Sequence, residues 1–178
     1  MARKYATANS PQKIIRFRTM KYYTIFDTSV CEIILVGDSE GISNIHLNTG
    51  EGKRCFEVSS EWHRNDAFFA DTVSQIKEYL SGKRTKFNIK IDPHGTDFQK
   101  KVWAELRRIP YGKLCSYQDI AQAIENPKAC RAVGMANSKN PIPLIIPCHR
   151  VIGANGKLTG FAHGLTIKEK LIKLEQES

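Results

Sequence analysis

A break at residues 92–96 (DPHGT) divides this chain of 178 residues into two halves that carry different periodic patterns. Proline and glycine within the break interrupt both the alternating and the helical pattern, which makes it the best domain boundary. Short β-branched and aromatic runs dominate before it, and helical periodicity dominates after it. The sequence therefore predicts two small domains, residues 1–92 and residues 93–178.

The first half has the pattern of a small α/β domain. β-Branched and aromatic residues fill three short runs that Asp, Ser and Gly separate, which is typical of strands. These predicted strands are residues 21–27, 31–37 and 42–48. Residues 49–64 show no clear period and are predicted to be a loop, whereas Asn65 and Asp66 can cap a helix that ends at about Leu80. Residues 87–91 alternate apolar and polar side chains as an edge strand would.

The second half is predicted to be mainly helical, with a helix-turn-helix at its centre. A stripe of apolar side chains predicts a first helix that ends at residues 110–112 (PYG). Ser116 begins a capping-box-like start (SYQD) for a second helix, and residues 126–128 form a tight turn before a third helix over about 129–137. Such a pair suggests that its second helix is presented to nucleic acid, although plain helical packing gives the same pattern more often.

The end of the chain predicts a short β wing and a last helix. Asn155 and Gly156 are a strong turn signal between residues 150–152 and residues 157–159, which are predicted to pair. Thr166 is predicted to cap the final helix.

Positive charge is concentrated in the second half, within a formal net charge of +9. Residues 93–178 carry 13 Lys and Arg against 7 Asp and Glu, a net +6, whereas residues 1–92 carry 14 against 11, a net +3. A basic half suggests a polyanionic partner, although a solvated basic surface is common in small domains.

The cysteines indicate a reducing compartment. Their number is odd, no pair has CxxC spacing, and no secretory leader precedes them. They are Cys31, Cys55, Cys115, Cys130 and Cys148. Because no apolar run approaches membrane-spanning length either, we expect no membrane partner and a cytoplasmic location, or a nuclear one if the source is eukaryotic.

Neither a metal nor another cofactor is expected. Cys31, Cys55, His46 and His63 offer ligand atoms, but their spacing matches no compact metal motif. Small buried cysteines and hydrogen-bonded histidines are also far commoner than ligands. Residues 1–20 are polar and basic without an apolar core, and we expect them to form a flexible arm.

Residues 147–151 (PCHRV) place a thiol directly before an imidazole. A thiol is a weak nucleophile until it loses its proton, and a neighbouring base or positive field is the usual way to lower that cost. Adjacency alone does not establish such a pair, because sequence neighbours on an extended strand point to opposite faces. The surrounding segment, residues 140–153 (NPIPLIIPCHRVIG), is far more specific.

This segment resembles the active-site segment of the O6-alkylguanine-DNA alkyltransferases, which move an alkyl group from a damaged guanine onto their own cysteine. The resemblance runs from about Gly95 to Glu175, with several motifs in one order. It implies a ribonuclease H-like α/β N-terminal domain with a three- to four-stranded sheet. It also implies a mainly α, winged-helix-like C-terminal domain that holds the helix-turn-helix.

The resemblance assigns the chemistry to five residues. Cys148 is the nucleophile, His149 is the base that acts on it through a water, and Glu175 orients the imidazole as the third member of a triad does. Asn140 fixes the turn before the active segment, although an Asx turn before Pro141 explains this residue equally well. Tyr117 pushes the phosphate of the target nucleotide and donates toward the guanine.

The resemblance also implies base flipping in double-stranded DNA. Arg131 enters the base stack from the minor groove and fills the space that the flipped nucleotide leaves. Small residues let the helix that carries Arg131 lie close to the sugar-phosphate backbone. The remaining predicted DNA-binding residues are Ser116, Ala129, Ala132 and Gly134. An exposed arginine and tight helix packing are the plain structural explanations of the same residues.

The guanine pocket is expected to combine backbone groups of Cys148 and Val151 with the loop of residues 159–164 (TGFAHG). Phe161 stands where many members have Tyr, and Ala162 stands where Ser is common. His163 occupies a position that is frequently small, so we expect it to narrow the pocket against bulky alkyl groups.

The predicted function is one-time transfer of an alkyl group from O6-alkylguanine, and from O4-alkylthymine, in double-stranded DNA to Cys148. The chain is expected to act as a monomer, alone or cooperatively on DNA. Three alternatives remain: a DNA-binding protein that recognises alkyl lesions without transfer, a Cys-His-Glu hydrolase that regenerates its thiol, and a helix-turn-helix regulator. The presence of Cys148 argues against the DNA-binding protein without transfer. The lack of an evident symmetric dimer element argues against the helix-turn-helix regulator.

Overall fold

The computed structural model describes residues 20–52 and 54–177, so nearly all of the predicted arm at residues 1–20 lies outside the described residues. The N-terminal domain holds a four-stranded sheet with the strand order β3-β2-β1-β4. Its elements are β1 (Tyr22–Asp27), β2 (Glu32–Asp38), β3 (Gly41–Asn48), β4 (His63–Arg64) and helix α1 (Ala70–Leu80). Strands β1, β2 and β3 pair antiparallel, and β4 pairs parallel with β1.

The central strand β2 is buried almost along its whole length. Its residues Ile33 and Leu35 belong to the same cluster of buried apolar side chains as Ile76 and Tyr79 of α1. The cluster continues into the C-terminal domain through Trp103 and others, so the two domains share one core. Backbone bonds also cross the boundary, for example from the Ile45 N–H to the Pro141 carbonyl at 2.8 Å. The C-terminal half of the chain is therefore held against the sheet at a fixed position.

The C-terminal domain is mainly helical, as predicted. Its elements are α2 (Asp97–Leu106), β5 (Cys115–Ser116), α3 (Tyr117–Ala123), α4 (Cys130–Ser138), a 3₁₀ turn (Cys148–Arg150), β6 (Val151–Ile152) and α5 (Leu165–Glu177). The predicted capping box at Ser116 is confirmed, because its side chain accepts from the Asp119 N–H and the Asp119 side chain accepts from the Ser116 N–H. Helices α3 and α4 form the helix-turn-helix.

Three predictions for the N-terminal domain fail: the strand at residues 87–91, the loop at residues 49–64 and the start of the helix. Residues 87–91 form no strand and contribute only an isolated bridge between Ile42 and Ile91. The reason is local, because the Gln75 side chain bonds both the N–H and the carbonyl of Asn88, at 2.9 and 3.2 Å, and replaces a strand partner. The predicted loop 49–64 ends in β4, which is too short to show any period.

Helix α1 begins later than the predicted cap. The Asn65 side chain accepts from the Phe68 N–H at 3.0 Å, and Asp66 accepts from the Thr24 hydroxyl at 2.7 Å. Both side chains therefore stabilise the turn that precedes the helix rather than its first residue.

The predicted β wing is also wrong in its pairing. The turn at Asn155 and Gly156 exists, and the Gly153 N–H donates to the Lys157 carbonyl at 3.0 Å, but residues 157–159 form no strand. Strand β6 pairs instead with β5, in parallel. The Thr159 carbonyl instead accepts hydrogen bonds from the Lys168 ammonium at 2.9 Å and from the Tyr117 hydroxyl at 3.4 Å. At the last helix, the predicted cap Thr166 lies inside the first turn, since α5 begins at Leu165.

Candidate active site

Asn140 shapes the backbone that carries Cys148. Its amide donates to the Ile146 carbonyl at 2.8 Å, and its side-chain oxygen accepts from the Ile142 N–H at 3.0 Å. Between these anchors Leu144 adopts a φ of 73°, in the left-handed region that non-glycine residues rarely occupy. Such a conformation costs of order 1–3 kcal/mol and persists only where the surroundings enforce it. The segment therefore holds Cys148 at a defined place at the start of the 3₁₀ turn.

His149 and Glu175 form a buried pair behind Cys148. The His149 ring is fully buried, and its Nε2 atom lies 2.8 Å from Oε1 of Glu175. A carboxylate only accepts hydrogen bonds, so Nε2 carries the imidazole proton when the ring is neutral. The other ring nitrogen, Nδ1, is also buried and has no hydrogen-bond partner in the described part of the chain. This tautomer leaves Nδ1 with a free lone pair, as a general base requires.

Several further donors hold Glu175. Arg150 donates to both carboxylate oxygens, from Nε at 2.8 Å and from an Nη atom at 2.9 Å, in a bidentate pair. The Gly112 N–H donates to Oε2 at 3.0 Å, and the Tyr79 hydroxyl donates to Oε1. Gly112 has a φ of +72°, and a Cβ there would lie 2.8 Å from the Glu175 carbonyl, so only glycine fits this approach.

The pKa values in this cluster follow burial and hydrogen bonding. Burial would raise the pKa of the Glu175 carboxyl, but the hydrogen bonds from His149 and Arg150 outweigh it and hold that pKa well below its usual range. Burial lowers the pKa of His149, and Glu175 partly opposes this effect. At neutral pH the carboxylate is thus charged and the imidazole neutral.

The thiol of Cys148 is equally withdrawn from water, with 4% of the residue exposed. Burial raises its pKa, whereas a hydrogen bond from Asn140 and the positive charges of Lys168 and Arg54 act in the opposite direction. The resting site therefore pairs a neutral thiol with a neutral base, close to two cations that favour the thiolate once it forms.

Lys168 and Arg54 were not among the predicted site residues. Lys168 is fully buried on α5, and its ammonium donates to the carbonyls of Val151 at 2.6 Å and Thr159 at 2.9 Å. Burial lowers its pKa to about 8. Arg54 extends from the N-terminal domain and donates to the Asn140 carbonyl at 2.6 Å. A surface-type residue on a helix and one in a loop give no sequence signal of such burial.

Asn137 is a third residue that sequence reasoning missed. It is buried on α4, and its amide donates to the Cys148 carbonyl at 3.4 Å. Its side-chain oxygen has no partner in residues 20–52 and 54–177. A hydrogen bond from its amide favours the ionised form of Tyr117 and lowers the pKa of that hydroxyl, against the larger effect of burial. Asn137 thus connects α4 to the active-site turn.

A cleft of ≈ 1040 Å³ opens beside this cluster between α3, α4 and the loop of residues 159–164. Tyr117 and Arg54 both line the cleft, and the charge of the Cys148 thiolate influences the pKa of each of them. Tyr117 donates to the Thr159 carbonyl at 3.4 Å, a long bond. Both domains contribute to the walls. The lining residues that matter here are Arg54, Tyr117, Gly134, Thr159, Phe161 and Ala162.

The other predicted DNA-binding residues lie along α4 and at the start of α3. Arg131 and Ala132 are exposed, and Ala129 is half-buried just before the helix. The hydroxyl of Ser116 is already engaged, since it donates to Asp119 Oδ2 at 2.8 Å within the capping box. Met135, one turn beyond Arg131, is 59% exposed and extends the same face.

Two of the predicted pocket residues do not present their side chains to the cleft. Val151 is fully buried, and its carbonyl accepts a hydrogen bond from the Lys168 ammonium. His163 is buried against the N-terminal domain, where its Nδ1 lies 3.2 Å from the Leu47 carbonyl and its ring lies 5.3 Å from that of His46. It lines a separate cavity of ≈ 410 Å³, so it does not narrow the cleft as expected.

The four residues considered as metal ligands do not converge. Among the described residues, no group of three or more His, Cys, Asp or Glu side chains is arranged to hold a metal ion. Within the same residues, no helix is long and apolar enough to cross a membrane.

The geometry defines a class of protein: a buried cysteine followed by a histidine that pairs with a glutamate, set next to a helix-turn-helix in a two-domain chain. Comparison with known families supports this description over both domains. Residues 21–93 match the ribonuclease-like domain of 6-O-methylguanine DNA methyltransferase, and residues 97–177 match the DNA-binding domain of that protein. The chain belongs to the 6-O-methylguanine DNA methyltransferase family, as the resemblance of its active segment predicted.

Individual relatives are similar over nearly their whole length. The chain is 51% identical over 154 residues to the methylated-DNA–protein-cysteine methyltransferase of Methanosarcina acetivorans, covering 86% of this chain and 97% of that protein. It is 42% identical over 161 residues to the constitutive enzyme of that name in Bacillus subtilis, covering 89% and 98%.

Solved structures extend the similarity to the fold. The O6-methylguanine methyltransferase of Mycobacterium tuberculosis is similar with a TM-score of 0.81 and 40% identity, covering 89% of this chain and 94% of that one. A complex of the M. tuberculosis protein with DNA has the same TM-score of 0.81 and the same 40% identity, over 88% of this chain and 93% of that one. The predicted fold class is confirmed.

Proposed function

We propose that this chain repairs alkylated DNA by direct reversal, by moving the alkyl group of O6-alkylguanine, and of O4-alkylthymine, onto Cys148. The observation that carries the proposal is the buried cluster of Cys148, His149 and Glu175 beside an open cleft, in a chain of this family. No cofactor is required, because the protein itself accepts the group.

The proposed reaction is a single displacement. The sulfur of Cys148 attacks the alkyl carbon, an S–C bond forms, and the C–O6 bond breaks with its electron pair going to the guanine oxygen. The thiol proton passes to His149 Nδ1 and from there, through water in the cleft, to the guanine. Neutral guanine then leaves, and the imidazole returns to its neutral form. Glu175 stabilises the transient imidazolium. Lys168 and Arg54 favour the negative charge on sulfur as it develops.

We infer that the damaged nucleotide reaches Cys148 by base flipping. Neither Cys148 nor His149 is exposed, so a base inside the duplex has no path to the sulfur. In this proposal Arg131, which is exposed on α4, fills the vacated position in the base stack through the minor groove. Tyr117, which lines the cleft, contacts the flipped nucleotide. Small residues on α4, among them Ala132 and Gly134, permit close approach to the sugar-phosphate backbone.

The pocket for the flipped base is proposed to lie between Tyr117 and the loop of residues 159–164. Backbone carbonyls of Cys148 and Val151 face the exocyclic amine, and the Ala162 N–H serves the O6 position. Phe161 forms an apolar wall that a tyrosine would make more polar. Since His163 is turned away from the cleft, we expect it to set the position of this loop rather than the size of the alkyl group.

Each molecule should act once, because the sulfur of the thioether product can no longer form a thiolate and no step of the proposed reaction removes the alkyl group. The protein is expected to work as a monomer, alone or cooperatively on DNA, in the cytoplasm, or in the nucleus of a eukaryote. A hydrolase with the same three residues would regenerate its thiol, and a lesion-binding protein would leave the alkyl group on the DNA.

A titration with a duplex that carries one radiolabelled O6-methylguanine separates these functions. The proposal predicts that label leaves the DNA in proportion to added protein, stops at one methyl per protein molecule, and stays with the protein. Continued release of label into solution supports the hydrolase instead. Binding to the lesion with all label retained on the DNA supports the non-transferring protein.

A further inference from the structure

Tyr79 connects the N-terminal domain to the reacting pair. It lies near the end of α1, its side chain is fully buried, and its hydroxyl donates to Glu175 Oε1. The same hydroxyl lies 3.2 Å from Nε2 of His149. Its ring is held between Phe87 and Tyr111, with centroid distances of 5.0 and 6.0 Å. One side chain from the first domain therefore touches two members of the cluster in the second.

The number of protons on these three side chains determines which atom donates each hydrogen bond. The Tyr79 hydroxyl has one proton, and the Glu175 carboxylate only accepts, so that proton lies between them. The Tyr79 oxygen can then only accept from His149. The Nε2 proton is thus shared between Glu175 Oε1 at 2.8 Å and the Tyr79 oxygen at 3.2 Å. Burial raises the pKa of Tyr79 far above its ordinary value, so this arrangement persists at every physiological pH.

The titratable groups around His149 come from four parts of the chain. Glu175 and Lys168 lie on α5, Arg150 follows His149 in the 3₁₀ turn, Tyr79 is on α1, and Tyr111 belongs to the segment after α2. Glu175 favours the imidazolium, whereas Arg150 and Lys168 oppose it. Each hydrogen bond that Glu175 accepts from another donor weakens its attraction for the imidazole proton. Tyr79 is one of these donors, together with Arg150 and the Gly112 N–H.

Building on the proposed function, we propose that Tyr79 is a positioning residue for alkyl transfer. Its hydroxyl holds Glu175 and the Nε2 proton of His149 so that Nδ1 remains a free, neutral base at the pH of the cell. The N-terminal domain is then part of the reaction machinery and not only a support for the DNA-binding domain.

The test compares Tyr79→Phe with Tyr111→Phe. Both changes remove one buried phenolic oxygen and keep the ring, but the Tyr111 hydroxyl has no hydrogen-bond partner in the described part of the chain. We expect Tyr79→Phe to slow transfer at saturating DNA and neutral pH by about tenfold, a fraction of the roughly 10²–10⁴ that general-base catalysis supplies. DNA affinity should not change. Tyr111→Phe should transfer at the rate of the unaltered protein.

Two further readouts separate positioning from a loss of packing. In Tyr79→Phe, the imidazole signal of His149 in NMR spectra should titrate at higher pH, and the acidic limb of the rate profile should move with it, because Glu175 then holds the imidazolium more strongly. In a Glu175→Gln background, Tyr79→Phe should have little additional effect on the rate. Independent, multiplicative effects of the two changes would overturn the inference.

The unaltered protein provides a test that does not depend on the folding of a variant. Nitrogen-15 shifts of the His149 ring should report a neutral imidazole protonated on Nε2, and protonation on Nδ1 would overturn the inference. If the unaltered protein never accepts a methyl group, the proposed function fails. If it does, but Tyr79→Phe leaves both the rate profile and the His149 titration unchanged, only the role of Tyr79 fails.

Discussion

The two sides of Cys148 are built in opposite ways. Behind it, Glu175 accepts hydrogen bonds from His149, Arg150, Gly112 and Tyr79, all of them shielded from water to a large extent. In front of it, Tyr117 makes one long bond to Thr159, and Arg131 stands exposed on α4. The hydrogen bonds behind Cys148 are complete within the protein, whereas the side with Tyr117 and Arg131, which we propose meets DNA, is open.

This difference indicates when each interaction is made. Buried charges that lack partners are very costly, so the groups behind Cys148 must be paired as the chain folds. Once paired, they need no rearrangement at the moment of reaction. If the proposed function is right, the groups in front gain further partners from DNA, and those interactions should depend on salt and on the nucleotide. Substitutions on the two sides should accordingly affect different measurements.

Removal of the sulfur should have the largest effect, because it lies where the two sides meet. Cys148→Ala is expected to abolish methyl transfer and to leave affinity for duplex DNA intact, since no DNA-facing group changes. Transfer of label from a methylated duplex and an electrophoretic binding assay measure the two properties. Full transfer by this variant would remove Cys148 from the reaction.

Glu175→Gln should affect both chemistry and folding. The imidazolium loses its counter-charge, and we expect transfer at saturating DNA to slow by about 10² or more. Arg150 keeps a buried charge without its carboxylate, so the free energy of unfolding should fall by about 3 kcal/mol. Urea unfolding followed by circular dichroism measures the second effect, and a variant as stable as the unaltered protein would contradict the account.

The pH dependence of stability checks the same residue. The pKa of Glu175 is depressed in the folded state, so its stabilisation is complete above the unfolded value of about 4.3 and is lost as pH falls below that value. The difference in unfolding free energy between the unaltered protein and Glu175→Gln should therefore shrink on acidification below about pH 4. A difference that stays constant down to low pH would contradict the assignment of the charge.

Lys168→Met should have an intermediate effect. The variant removes a cation that favours the Cys148 thiolate and releases the carbonyls of Val151 and Thr159, so transfer at neutral pH should slow by about tenfold. Because the folded pKa of Lys168 is about 8 against an ordinary 10.5, the unfolded chain binds more protons between these values, and the unaltered protein should gain stability there as pH rises. The variant should lack that gain. Lys170→Met, on an exposed part of the same helix, is the matched control and should change neither property.

Arg131→Ala should have the smallest effect and should act on DNA binding. We expect affinity to fall by about fivefold and the slope of affinity against salt to decrease, because one cation that faces the duplex is gone. The pH dependence of transfer should stay the same. Arg108→Ala removes an equal charge away from α4 and serves as the control. An altered pH profile in Arg131→Ala would contradict the separation of the two sides.

The open side was easier to predict from the sequence than the buried side. The helix pair α3 and α4, the capping box at Ser116 and the active segment around Cys148 all follow from local patterns or from the family resemblance. Glu175 was assigned through the resemblance alone, since a carboxylate near a helix end is usually exposed. Nothing in the sequence around Glu175 indicates that it accepts a hydrogen bond from Arg150, which lies 25 residues earlier in the chain.

Two of the residues that were missed, Tyr79 and Arg54, find their partners only where the sheet domain packs against the helical domain. Lys168 and Asn137 find theirs within the helical domain, on segments that lie 9 to 17 residues away in the chain. In the sequence Tyr79 belongs to the apolar face of α1, Lys168 has the pattern of a surface lysine, and Arg54 lies in a stretch without period. The wing failed for a related reason, because Lys168 takes the Thr159 carbonyl that a strand would have used.

The central claim is that the buried thiol receives the alkyl group and keeps it. After incubation with DNA that contains O6-methylguanine, peptide mass mapping should find the peptide that carries Cys148 heavier by one methyl group in place of a hydrogen, with the other four cysteines unmodified and the DNA guanine restored. A restored guanine together with an unmodified Cys148 would contradict the account.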